Sequence, residues 1–168
     1  MSLLEKKEST IALSLLWDRI PEIGQHVGKQ GNSWAESISF YHDMRQKRVP
    51  VQIFTGSPQS YARKPFPVKD RDALIAMHKS DYFPFFVHSA YIINLCRDLE
   101  EKQLNYIKNE FEISKSIDAE GVVFHVGKSL KMDINVALKS MKDNIINCVI
   151  NYASSECPFL LETPAGQG

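Results

Sequence analysis

His88, His125 and Glu162 stand at one repeated interval of 37 residues (88 to 125, 125 to 162), and each comes at the C-terminal end of a short apolar run. A regular strand–helix repeat puts such residues at equivalent positions on neighbouring strands, and parallel strands bring those positions to one rim. Two imidazoles and a carboxylate gathered there form a first shell for Zn²⁺ that leaves a position for water. A lone histidine at a strand end is more often a hydrogen-bonded core or loop residue than a ligand. The matched set of three favours ligation more than any one of them does. Spacing alone leaves both readings open, because no compact HExxH-type motif is present.

The elements that must position these residues follow from the apolar pattern. Five runs recur, at 23–27, 49–54, 83–88, 122–126 and 159–161. Four of them precede a segment that can be helical. Ser33 can cap a helix carrying Trp34, Ile38, Phe40 and Tyr41. A loop marked by Pro58, Pro65 and Pro67 leads to a helix starting at Asp70, with Leu74, Ile75 and Met77. Asp98 opens a long helix bearing Leu99, Tyr106, Ile107, Phe111 and Ile117. Asp133 caps an amphipathic helix whose stripe runs through Ile134, Ala137, Leu138, Met141, Ile145, Cys148, Val149 and Tyr152.

Continuously apolar strands alternating with helices predict an α/β protein with a parallel sheet. An open doubly wound sheet and a (β/α) barrel compete. No GxGxxG follows the first strand, which removes the simplest reason to prefer the dinucleotide-binding fold. Residues 1–22 contain no strand-like run and are expected to form a partly helical extension, with the main domain over 23–168.

Composition sets the outer bounds. A chain of 168 residues, 43% hydrophobic and 24% charged, fits one globular domain. Basic and acidic residues balance at 20 each, so attraction to a polyanion must come from local patches. Cys96, Cys148 and Cys157 are three in number and show no CxxC spacing, which suggests reduced thiols rather than a disulfide framework. The apolar stretch at 11–17 is too short for a membrane span and lacks a signal-peptide cleavage pattern. A soluble intracellular protein is expected, with no membrane partner.

The words around the three residues carry further information. IGQHVG, VQIFTGSPQSY, VHSAYIINL, VVFHVGKS and LLETPAGQG occur in this order from Ile23 to the last residue. In order and spacing the chain resembles endonuclease IV, the zinc-dependent apurinic/apyrimidinic (AP) endonuclease family. The resemblance implies a TIM barrel with three zinc ions at its mouth, acting in base excision repair. His88 and His125 match histidines that bind one zinc. Glu162 matches the glutamate that bridges it to a second and so counts with the catalytic residues. The implied reaction is hydrolysis of the phosphodiester 5′ to an abasic site in double-stranded DNA, leaving a 3′-hydroxyl. Tyr91 matches a tyrosine that inserts into the duplex, with Ile92 as an apolar neighbour; wedging such side chains between bases bends DNA. The bland alternative for Tyr91 is a packed core aromatic.

The match departs from the family at the second loop, where Gln59 stands in place of an arginine that penetrates the duplex. Arg63, Lys64, Lys69 and Arg71 can supply phosphate contacts from the same region, as can Lys128 and Lys131 after the fourth strand. Arg45, Lys47 and Arg48 precede a strand and are expected on the opposite end of the barrel. His26 matches a family histidine outside the zinc ligands, so it is expected behind the ligands or in the core. His42 and His78 are expected at the surface of helices.

Only five of the family's eight strands are expected here, so the barrel is incomplete. The sequence corresponds to the N-terminal part of such an enzyme, with ligands for about one zinc and a C-terminal half elsewhere, and this part alone is expected to be inactive as a phosphodiesterase. Two alternatives stay open: a non-catalytic zinc- or DNA-binding fragment, and a metal-dependent sugar isomerase or epimerase of the same barrel superfamily.

Overall fold

The computed structural model describes residues 23–62 and 64–163, so the expected extension over 1–22 and the terminal AGQG lie outside the described residues. Five strands alternate with four helices: β1 (Gln25–His26), α1 (Trp34–Arg45), β2 (Val51–Ile53), α2 (Val68–Ser80), β3 (Phe85–His88), α3 (Glu101–Ser116), β4 (Val122–His125), α4 (Ile134–Asn147) and β5 (Phe159–Glu162). A short 3₁₀ turn, Val149–Tyr152, follows α4. No helix among the described residues is long and apolar enough to cross a membrane.

Every neighbouring pair of strands is parallel, and the spatial order β1-β2-β3-β4-β5 repeats the order in sequence. This order separates the two competing architectures. A doubly wound sheet reverses its strand order at a switch point. A sheet that always steps the same way is singly wound, as in a (β/α) barrel. The result is an open arc of barrel type, with β1 and β5 as its edges among the described residues.

Burial along the strands has period two. Val51, Ile53, Phe85, Val87, Val122 and Phe124 are at most 1% exposed, whereas Gln52, Phe86 and Val123 between them are only partly buried. The first set packs against Ile38 of α1, Leu74 of α2, and Ile107 and Phe111 of α3 in one cluster. Phe111 stacks on Phe124 at 5.8 Å. One sheet face is therefore sealed by helices, each buried apolar side chain contributing roughly 1.5–3 kcal/mol. The concave face is half open. Gly24 permits the first strand pair, since a Cβ there would stand 2.3 Å from the Pro50 carbonyl oxygen.

Ser33 and Asp133 cap their helices as expected, accepting from Glu36 N and from Asn135 N and Val136 N. Three other boundaries or faces differ from expectation. α2 begins at Val68, behind Pro67, because Asp70 has a different task. Its buried carboxylate takes Lys29 Nζ at 2.5 Å and accepts from Trp34 N at 3.4 Å, tying the loop after β1 to α2. α3 begins at Glu101 rather than Asp98, because Glu100 and Gln103 form a reciprocal capping box. On α4, Ala137 is buried, but Ile134 and Leu138 are 53% and 48% exposed. Among the described residues, nothing packs over this part of α4 closely enough to bury it.

His42 corrects a further expectation. It is not at the surface but 1% exposed, with Nε2 donating to Val49 O at 3.0 Å and its ring edge-on to Phe83 at 4.7 Å. Its Nδ1 has no hydrogen-bond partner among the described residues. His78 is also largely covered, its side chain 13% exposed, with Nε2 donating to Phe83 O. Both histidines lie in or near the last turns of helices that fold over the sheet, where strand-entry carbonyls need donors.

Burial disfavours the His42 cation and lowers its pKa from the ordinary 6.5. The unfolded chain therefore takes up this proton at a higher pH than the folded chain. Stability from this group is complete above about pH 6.5 and falls as pH drops below it, with a limiting slope of about 1.4 kcal/mol per pH unit. Urea unfolding at several pH values between 7.5 and 5 checks this. His42→Gln, whose amide can still donate to Val49 O, is expected to lose this part of the slope.

Candidate metal centre at the strand ends

β3, β4 and β5 end on His88, His125 and Glu162, and the parallel sheet turns these ends to one rim. His125 and Glu162 are register partners. His88 pairs with Val123, two residues lower on the same face. Donor atoms of all three side chains lie within 4.8 Å of one another. Glu162 Oε2 is 2.9 Å from His88 Nε2 and 3.2 Å from His125 Nε2.

Hydrogen bonding shows what this convergence requires. His88 Nδ1 is 2.6 Å from Ser89 O. A carbonyl oxygen can only accept, so Nδ1 carries a proton. A neutral His88 then aims the lone pair of Nε2 at a carboxylate oxygen, and the second imidazole is aimed at the same atom. Such a group needs a positive charge in its middle, either a proton or a cation. Two imidazole nitrogens and a carboxylate oxygen suit Zn²⁺, and the bond from Nδ1 to a carbonyl is the usual support for a metal-binding histidine.

Burial grades the three residues. The His88 side chain is 4% exposed, whereas those of His125 and Glu162 are 41% and 48% exposed. His88 is held inside the rim and the other two face the opening. Burial lowers the His125 pKa, and the nearby His88 lowers it further, while the Glu162 carboxylate partly opposes both. A depressed pKa keeps the imidazole neutral, the form that binds metal.

Aromatic rings wall the group. Phe54 lies 4.3 Å from His26, 5.1 Å from His88 and 5.1 Å from Tyr91. Tyr91 lies 5.3 Å from His88 and 5.1 Å from His125. Tyr91 is nevertheless 51% exposed, which excludes a packed core aromatic. His26 stands beside the set, 6.0 Å from His88 between ring centres. Its Nδ1 faces the Gln52 amide nitrogen at 3.2 Å. Burial, with His88 nearby, lowers the His26 pKa, against the pull of Glu162.

The other expected contact residues are more scattered. Gln59 is exposed on the loop after β2, its N–H donating to Ser57 Oγ. Lys64 is exposed beside a cleft of about 760 Å³ that also touches Lys29, Trp34, Phe54 and Phe66. Lys128 is exposed after β4. Arg63 lies outside the described residues.

Gln52, Phe54 and Asn94 escaped attention in the sequence although each leaves a signal there. Gln52 interrupts the apolar run VQIF, and Phe54 falls on the same face two residues later. Asn94 interrupts the apolar YIINLC.

Comparison with known proteins bears on what this rim does. The chain is 26% identical over 156 residues to a probable endonuclease 4 of Ureaplasma urealyticum, covering 87% of this chain and 49% of that protein. It is 28% identical over 153 residues to that of Malacoplasma penetrans, covering 87% and 52%. The chain resembles endonuclease IV. It spans about half the length of the curated relatives it matches, and no family model matches it. Among solved structures, endonuclease IV from Thermus thermophilus shares the fold with a TM-score of 0.63 at 20% identity, over 88% of this chain and 54% of that one. A xylose isomerase domain protein from Planctomyces limnophilus shares it with a TM-score of 0.52 at 11% identity, over 89% and 56%. These likenesses bear out a TIM-barrel type of sheet.

The electrostatics of the rim are open to direct measurement. In chelator-treated protein, the His125 titration midpoint by NMR is expected below 6.5. Glu162→Gln removes the carboxylate that favours the cation, so the midpoint should fall further. A rise, or no change, would contradict the geometry described here.

Proposed function

We propose that this chain serves zinc-dependent hydrolysis of DNA at abasic sites, cutting the phosphodiester 5′ to the lesion and leaving a 3′-hydroxyl. The observation that carries this reading is the convergence of His88, His125 and Glu162 on one point in a chain similar to endonuclease IV. In this reading His88 and His125 would hold a zinc ion, and the Glu162 carboxylate would balance its charge. A bound zinc supplies Lewis-acid chemistry toward a phosphate oxygen and a source of hydroxide at neutral pH. The resemblance implies three ions, and the described residues hold a donor set for one.

The remaining roles belong to side chains around the rim. Tyr91 and Ile92 press into the duplex and help hold the abasic nucleotide out of the stack, which is cheapest where a base is already missing. Lys64 and Lys128 neutralise phosphates and fix the register of the duplex, and Arg63, outside the described residues, is assigned the same task from its place in the sequence. Gln59 supplies a neutral hydrogen-bonding group where the family has a penetrating arginine. His26, with its Nδ1 held by Gln52, supports the ligands from behind. A soluble intracellular setting is part of the same reading. The isomerase alternative has support at the level of fold only, with the lower TM-score. The relatives matched in sequence are named as endonucleases.

Zinc titration against a chromophoric chelator is expected to give close to one equivalent per chain. His88→Ala or Glu162→Ala should weaken it by about 100-fold or more, as expected for loss of a metal ligand. No zinc binding would overturn the proposal. In a full-length protein that carries this chain together with the family's remaining strands, zinc binding without cleavage of a duplex containing a tetrahydrofuran abasic analogue would favour a non-catalytic zinc-binding role.

The second loop yields a separate test. Gln59→Arg adds a charge able to reach phosphate and base edges, so affinity for the abasic duplex should rise about threefold to tenfold and become more salt-sensitive. Fluorescence anisotropy at two salt concentrations measures both effects. Unchanged affinity would count against Gln59 facing the duplex.

A further inference from the structure

One residue joins the loop after β3 to the loop after β4. Asn94, six residues beyond His88, reaches across with both ends of its amide. Nδ2 donates to Lys128 O at 3.0 Å, and Oδ1 accepts from Lys128 N at 3.0 Å. The same oxygen accepts from Cys96 N at 3.0 Å, which orients the amide from its own loop. One side chain thus satisfies both backbone groups of Lys128, much as a neighbouring strand would.

The opposite loop is shaped to receive it. Gly127 has φ +100°, and a Cβ there would stand 2.2 Å from Asn94 Oδ1 and 2.9 Å from Leu95 N. A side chain at this position would have to push the two loops apart. Gly127 lies two residues after His125, and Val126 O is a further contact, 3.5 Å from Cys96 Sγ. On its other side the third loop is held by Tyr91 N donating to Pro58 O and by Tyr61 OH donating to Ile92 O.

We propose that Asn94 is a positioning residue that locks the loops leaving His88 and His125 together and so fixes the geometry of the donor set. This rests on the metal-centre reading above. Strand pairing fixes the backbone of the two ligands only as far as the strand ends. The β3–β4 register pairs His88 with Val123, so pairing between these two strands stops two residues short of His125, whose backbone is paired on the β5 side only. Beyond that point the Asn94 lock takes over. Asparagine suits the position because it offers a donor and an acceptor from one planar group. Aspartate lacks the donor, and leucine offers neither.

The full chain can be tested with zinc alone and without any DNA. Asn94→Ala is expected to weaken zinc binding by about tenfold or more, the usual cost of losing support behind a ligand. It should also speed amide hydrogen exchange at Lys128 and Cys96, while the urea midpoint moves far less than a fold-wide loss of stability would require. Asn94→Asp retains an acceptor for the two N–H groups, so it should recover part of the zinc affinity, and it carries the test if the alanine variant does not fold. Zinc affinity within about twofold of the unaltered chain in Asn94→Ala would overturn the proposal, as would a loss of affinity that merely tracks loss of stability. If the unaltered chain binds no zinc, the metal-centre reading itself fails. The lock is then judged on exchange alone, and unchanged protection at Lys128 in Asn94→Ala rejects it.

Discussion

Parallel register is the constraint on which this structure depends. His125 and Glu162 face one another because β4 and β5 pair with those residues level, and His88 joins them because β3 is set two residues lower on the same face. Side chains alternate along a strand, so a slip of one residue would send Glu162 to the helix-covered face and leave the two histidines without their carboxylate. On β5 only Phe159 packs against the helix-facing row, while on β2 to β4 the buried row from Val51 to Phe124 resists such a slip. It would have to move buried apolar side chains into the open concave face. The hydrophobic pattern thus holds the polar site in place.

The site brings two imidazoles and a carboxylate onto one point at the rim. Two imidazole nitrogens approach the same carboxylate oxygen, and the more buried ring already commits its other nitrogen to a backbone carbonyl. Burial pushes His26 and His125 toward the neutral form, while Glu162 pulls them back. Aromatic walls from Phe54 and Tyr91 shield the His88 side of the group from water, where charge interactions are screened less than at the exposed His125 and Glu162. The three donor atoms lie within 4.8 Å of one another, close enough to meet one cation together.

Around the rim, rigidity comes from side chains that bond to backbone. Asp70 fastens the first loop, Tyr61 spans the second and third, and Asn94 spans the third and fourth. These loops are short of regular structure, so their N–H and C=O groups must find partners elsewhere. The half-buried polar residues that supply them hold the opening in a defined shape without filling it.

The alternation of apolar runs with helical segments determined the α/β class, and the interval from 88 to 125 to 162 marked the three residues that meet. Ser33 and Asp133 showed as caps because capping is local, settled within three residues. Tertiary structure decided the rest. Only the order of strands in space distinguishes a singly wound arc from a doubly wound sheet. Only packing turns His42 of α1 inward against Phe83 and Asp70 toward Lys29. Asn94 and Gln52 were visible merely as polar interruptions of apolar runs, because their meaning depends on partners 34 and 26 residues away. Local chemistry can be read along a chain, whereas a contact between distant residues exists only once the sheet has fixed their separation.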